Sequence, residues 1–138
     1  MNHYLKAFIA VTSTAFILWG CASTHQGQSQ VISANRDAIV ADIYKLGADA
    51  YQFKIRPASM GGGNGAYDGS SAGGGPYTLK FDGPWGVSNP NATYMISSQS
   101  ANSITFTAAS KIVSSSTAAV TFDADGKAAT PAFSGQFK

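Results

Sequence analysis

An α+β fold, a long N-terminal amphipathic helix packed on a small antiparallel sheet of about four strands, follows from three observations. Apolar residues recur at helical spacing from Ile32 to Phe53. A glycine-dense stretch, Met60 to Pro76, then interrupts the chain. Beyond it the period of the apolar residues changes to two, in short runs separated by turn residues.

The helix comes first in the chain. Ile32, Ile39, Ile43, Leu46, Ala50 and Phe53 are spaced by sevens, fours and threes, which places them on one stripe. Arg36, Asp42, Lys45 and Asp49 fall away from that stripe, and Asp42 with Lys45 makes an i,i+3 pair of opposite charge. Ser33 or Asn35 is expected to cap the start, with Asp37 near the positive end of the dipole. Pro57 is expected to stop the helix, because a residue before proline avoids helical dihedrals.

Glycines 61, 62, 63, 65, 69, 73, 74 and 75 make regular structure entropically costly, so 60–76 reads as a loop. Asn64-Gly65 and Asp68-Gly69 are its turn pairs. Strands are then expected where Tyr77, Leu79 and Phe81 alternate with Thr78, Lys80 and Asp82, and where Ala92, Tyr94 and Ile96 alternate with polar neighbours. Ile104 with Phe106, and Val120 with Phe122, mark two more, and a last strand runs through Phe133 and Phe137. Gly83-Pro84-Trp85-Gly86 and Asn89-Pro90-Asn91 separate the earlier ones. The helix stripe is expected to cover one face of this sheet.

The N-terminal region carries a different message. Lys6 precedes Ala7 to Gly20, a run that is apolar apart from Thr12, Ser13 and Thr14. A positive start, a short apolar run and a small residue before the cut mark an export signal. Cys21 is the chain's single cysteine, so it has no internal disulfide partner. Leu18-Trp19-Gly20-Cys21 resembles a bacterial lipobox, and that resemblance implies lipid attachment at Cys21 as the first mature residue. A retained membrane helix is the other reading, although a span needs about 20 mostly apolar residues and this run is shorter. Residues 22–30 are polar and uncharged and read as a tether or a weak helix.

Composition excludes several classes of function. The chain has no glutamate, and its scattered lysines and arginines nearly balance its aspartates. No basic stripe exists for tracking phosphates, so nucleic acid is not an expected partner. The mature chain keeps one histidine, His25, in the polar stretch, where nothing would position it as a base. His and Cys clusters for zinc are absent. Asp123-Ala124-Asp125-Gly126 begins like a calcium loop, but no acid follows Asp125, so a strand turn with Gly126 at positive φ is expected. The glycines at 61–65 lack the lysine and hydroxyl residue of a P-loop. The aspartates give no convergent pair for glycoside hydrolysis. Neither an enzyme nor a cofactor or metal site is expected.

One order of motifs goes further. Ala34-Asn35-Arg36-Asp37-Ala38-Ile39-Val40-Ala41-Asp42-Ile43 leads to Arg56-Pro57-Ala58-Ser59-Met60-Gly61-Gly62-Gly63, and later to Ala92-Thr93-Tyr94-Met95-Ile96. This order resembles a group of bacterial type IV pilin-like proteins, over about residues 31–108. The resemblance implies a structural subunit whose N-terminal helix packs against its neighbours while the sheet faces outward. The Gly-Phe processing site and early glutamate of standard pilins do not occur here.

The expected organisation is therefore a signal peptide or short membrane segment (1–20), a polar tether (21–30) and a pilin-like α+β domain (31–138). The function expected is that of a non-enzymatic exported envelope protein, a pilin-like subunit or accessory protein of a surface filament. It would sit at the outer membrane or cell surface, held by the N-terminal lipid or apolar helix, and associate with itself or with similar subunits. The alternative is a lipid-anchored module in which Trp85, Tyr67 and the glycine loop hold a glycan or peptide.

Overall fold

The computed structural model describes the backbone of residues 15–71, 73, 75–79 and 87–138, and the side chains of these from residue 26 onward. Cys21, His25 and Trp85, and the expected strand residues Phe81 and Asp82, therefore lie outside the described residues or side chains. One helix packs against a four-stranded antiparallel sheet, so the architecture is α+β.

Helix α1 runs over Ala15–Ile55. Ile39, Ile43, Leu46 and Ala50 are buried, while Ile32 and Phe53 pack at the margin of the core. The start differs from the expected cap at Ser33 or Asn35, because both residues are inside the helix. Ser33 Oγ turns back to the Gln30 carbonyl at 3.2 Å. Asn35 is buried and reaches the sheet instead, accepting from Ser110 Oγ at 2.6 Å and donating to the Asn91 carbonyl at 3.5 Å. The polar residues 26–30, expected as a tether or a weak helix, are helical and exposed. The other end is as expected: Ile55 is the last helical residue, and Pro57 opens a 3-10 turn at Ala58–Met60.

The strands are β1 (Ala92–Gln99), β2 (Ile104–Ser110), β3 (Thr117–Phe122) and β4 (Ala132–Ser134), neighbours in chain order. All pairings are antiparallel, as short turns between sequential strands require. Ala92, Tyr94, Ile104, Phe106, Ala108, Ala118, Val120 and Phe122 point into the core, and the alternate residues face out. On the outer face Thr105 and Thr121, register partners, join hydroxyls at 2.8 Å, and Thr107 donates to Ser97 at 2.9 Å. Polar cross-strand pairs of this kind let one sheet face remain in water.

Two expected strands are altered. Residues 77–79 are not in a strand: the Tyr77 N–H bonds to the Tyr67 carbonyl at 2.9 Å, so it closes a loop. Gln99 adds a clamp, its amide donating to both the Tyr67 and Tyr77 carbonyls at 2.9 and 3.1 Å. Alternation at Tyr77 and Leu79 reflects burial of one side of a pinned loop, which periodicity does not separate from strand pairing. At the other end Phe133 is in β4 but Phe137 is buried in a closing 3-10 turn.

The core between helix and sheet is built on aromatic edges. Tyr77 meets Phe106 at 6.2 Å, Phe106 meets Phe122 at 6.0 Å, and Phe122 meets Tyr44 at 6.2 Å, all near perpendicular. Such edge-to-face pairs add to the area each ring buries. Gly47 is what allows Phe122 so close: a Cβ there would collide with the Phe122 ring.

Candidate functional site

Two surface features stand out once the core is accounted for, one apolar and one polar. The apolar feature is a groove of about 610 Å³ between Gly27, Gln28, Val31 and Ile32 of α1 and residues Ile112 to Ser114 of the β2–β3 turn. Val31 and Ile112 are both 52% exposed, although each is a branched aliphatic side chain. Sequence explains the local build on both sides. Ser110 Oγ accepts the N–H groups of Ile112 and Val113, which curls the turn and turns Ile112 outward. The lining has no ionisable side chain among the described residues, so it offers dispersion contact and no proton chemistry.

Polar contacts cluster further along the helix, towards its C-terminal end. Asp42 accepts the Tyr94 hydroxyl at 2.5 Å and the Asn89 amide at 2.7 Å. Two turns on, Asp49 accepts the Tyr77 hydroxyl at 2.7 Å. The Asp42–Lys45 pair expected from spacing is not an ion pair, since the described one joins Arg36 to Asp37. Geometry explains the change: Asp42 and Asp49 sit at the edge of the buried stripe, within reach of sheet-side donors that bond better than a solvated lysine. Burial, and then the adjoining carboxylates, hold the Tyr77 and Tyr94 hydroxyls well above the ordinary tyrosine range.

Lys54 is a buried residue of the last helical turn that the apolar pattern does not flag. Its ammonium donates to the Ala124 carbonyl and lies 5.4 Å from the centre of the Tyr67 ring. A cation here also suits the negative end of the helix dipole. The only sequence signal for it is position: Lys54 is four residues beyond Ala50 and so continues the buried stripe.

Tyr67, expected at a ligand surface, is in the core. It has no exposed area, its hydroxyl donates to the Asp123 carbonyl at 2.8 Å, and Lys54 covers its ring. Burial first, and Asp123 second, push that hydroxyl up to about 12. A ring closed off in this way cannot stack on a ligand, which removes Tyr67 from the contact set. Trp85, its expected companion, lies outside the described residues.

The Asp123–Gly126 turn forms as expected. Asp123 Oδ1 accepts the N–H groups of Asp125 and Lys127, both at 2.9 Å, and Gly126 has φ 76°. The carboxylate is committed to its own turn, and the Lys54 ammonium takes the neighbouring carbonyl. No group of three metal-ligating side chains occurs among the described residues.

No protein-family model matches the chain, and neither a curated protein nor a solved structure matches it.

Proposed function

We propose that this protein is an exported, non-enzymatic envelope protein, a pilin-like structural subunit or accessory protein of a surface filament. The observation that carries the reading is the division of α1. One stretch lies under the sheet, while Gln26 to Val31 stand clear of it beside an apolar groove. In this reading the helix is one long amphipathic element. Its C-terminal part belongs to the domain, and its N-terminal part meets other subunits. The groove's lack of ionisable groups suits packing, where burial of apolar area supplies the driving force.

The polypeptide is held to the envelope at its N-terminus, by lipid on Cys21 or by the apolar run from Ala7 to Gly20. No helix of the described residues is long and apolar enough to cross a membrane. Lipidation and a retained helix make opposite demands, because lipidation removes residues 1–20. Intact-mass measurement on protein from the envelope separates them. A diacylglyceryl group on an N-terminal Cys21 sinks the continuous-helix filament. Filaments that still contain residues 4–20 sink the lipid anchor. Monomers alone, at high concentration and without any surface assembly in cells, sink the subunit role itself.

A further inference from the structure

We infer that the cleft between the last turns of α1 and the Tyr77–Thr78 segment is a binding site for one pyranose unit of a neutral glycan. Asp49 and Phe53 lie at i and i+4 on one side of α1, and Arg56 follows directly after its last residue, Ile55. Tyr77, bonded to Asp49 and packed on Phe53, closes the base of the cleft, and Thr78 and Gly61 lie at its margin. The space is about 170 Å³, room for one ring-sized group and too little for a nucleotide or a larger cofactor.

The chemistry of the walls narrows the ligand. Asp49 and Arg56 lie about 10 Å apart along the helix axis, by a rise of 1.5 Å per residue. Among the described residues neither belongs to an ion pair. A free anion drawn to Arg56 meets Asp49, and a free cation drawn to Asp49 meets Arg56. A neutral polyol suffers neither repulsion. Its hydroxyls donate to a carboxylate and accept from a guanidinium, each a charge-assisted hydrogen bond. Thr78 is exposed and adds a hydroxyl that both donates and accepts.

Preorganisation supports the same assignment. The Tyr77 hydroxyl holds Asp49 Oδ2 at 2.7 Å, which fixes the carboxylate while Oδ1 has no hydrogen bond among the described residues. Half-buried Phe53, held against buried Tyr77 at 5.7 Å with a 57° tilt, gives the cleft one apolar contact for the C–H face of a sugar ring. At the rim a Cβ on Gly61 would meet no atom of the described residues within 4 Å. Sites that combine a rigid polar frame with an apolar contact bind small rings without rearranging. The proposal stands apart from the filament reading, since neither wall of the cleft belongs to the apolar groove.

The test is an NMR titration of the nitrogen-labelled full chain in detergent, with methyl β-glucopyranoside and with N-acetylglucosamine, and with inorganic phosphate as the control anion. Saturable shifts of the Arg56, Gly61 and Thr78 amides are expected with at least one sugar, with a dissociation constant in the low millimolar range. Arg56→Gln, an exposed change, should weaken binding about tenfold, and Thr78→Val by about threefold, with the fold intact in both. Three results overturn the proposal. One is the absence of saturable shifts with either sugar up to about 100 mM, well past the expected range. Another is sugar binding that Arg56→Gln leaves unchanged. The last is binding of phosphate alone, which makes the cleft an anion site.

Discussion

The stretches of α1 on either side of Ile32 make an informative pair. From Gln26 to Val31 every residue is exposed, although the backbone is helical throughout. From Asn35 to Lys54 a buried residue recurs at every turn, and each one has an identified neighbour. A helix with no tertiary support is marginal in water, so the second stretch holds the first in shape. The comparison teaches that helicity and packing are separate properties of this element. Asn35 marks the border, since among the described side chains of α1 it is the first buried one and it is joined to Ser110 and Asn91 by hydrogen bonds.

The largest effect expected comes from charging the packed stretch. Ile43→Asp places an unpaired carboxylate beneath the sheet and should cost more than about 3 kcal/mol, enough to unfold a small domain. A thermal melt reads it directly. An unchanged melting temperature would show that the stripe is not what joins helix to sheet. Gly47→Ala is the subtler version. Alanine improves helix propensity by about 1 kcal/mol, but its methyl group collides with the Phe122 ring. Overpacking costs about 1–3 kcal/mol, so a net loss is expected in urea denaturation. A gain would mean that the ring has somewhere to go.

Lys54→Met tests the end of the packed stretch. The thioether keeps the stem's volume but leaves the Ala124 carbonyl without its donor, for an expected loss of about 1–2 kcal/mol. The same urea midpoints should show it, and an unchanged midpoint would reduce the clamp to a surface contact.

Alkali should act on the tyrosines that join helix to sheet. Their folded-state values are raised above the ordinary 10, so the folded protein holds these protons more tightly than the unfolded chain does. Their contribution is complete below about pH 10 and is lost as pH rises above it. Denaturant midpoints between neutral pH and pH 12 should therefore be flat at first and then fall. Tyr94→Phe should make the fall shallower. A midpoint that stays level past pH 11 would contradict the burial of these hydroxyls.

Val31→Asp closes the series as the smallest effect on folding. Its side chain is half exposed, so stability should change by no more than about 0.5 kcal/mol. Self-association, followed by sedimentation, should weaken all the same if the groove is an assembly surface. A large loss of stability would instead place Val31 in the core and erase the contrast between the two stretches.

Much of this architecture was legible in residue order. The buried members of the stripe, the inward residues of β1, β2 and β3, the stop at Pro57 and the turn at Gly126 all follow from periodicity and turn chemistry. These signals are local, and local spacing is what a single sequence displays. The helix start was misplaced because Ser33 and Asn35 have the chemistry of caps, and only the strand ends at Asn91 and Ser110 reveal what else Asn35 can bond. The candidate sites were less legible. Tyr67, expected at a ligand surface, is buried, and Lys54 is a cation taken into the core.

By itself, then, the sequence determined the class of fold and the face that β1, β2 and β3 turn inward. The tertiary structure decided which polar side chains pair across the gap, that Gln99 pins the loop ends at Tyr67 and Tyr77, and where a groove and a cleft remain open. The physical reason is range. Periodicity and turn preferences act within a few residues, whereas Tyr77 with Asp49, Tyr94 with Asp42 and Lys54 with Ala124 join residues distant in the chain. Those partners become neighbours only after the helix has docked.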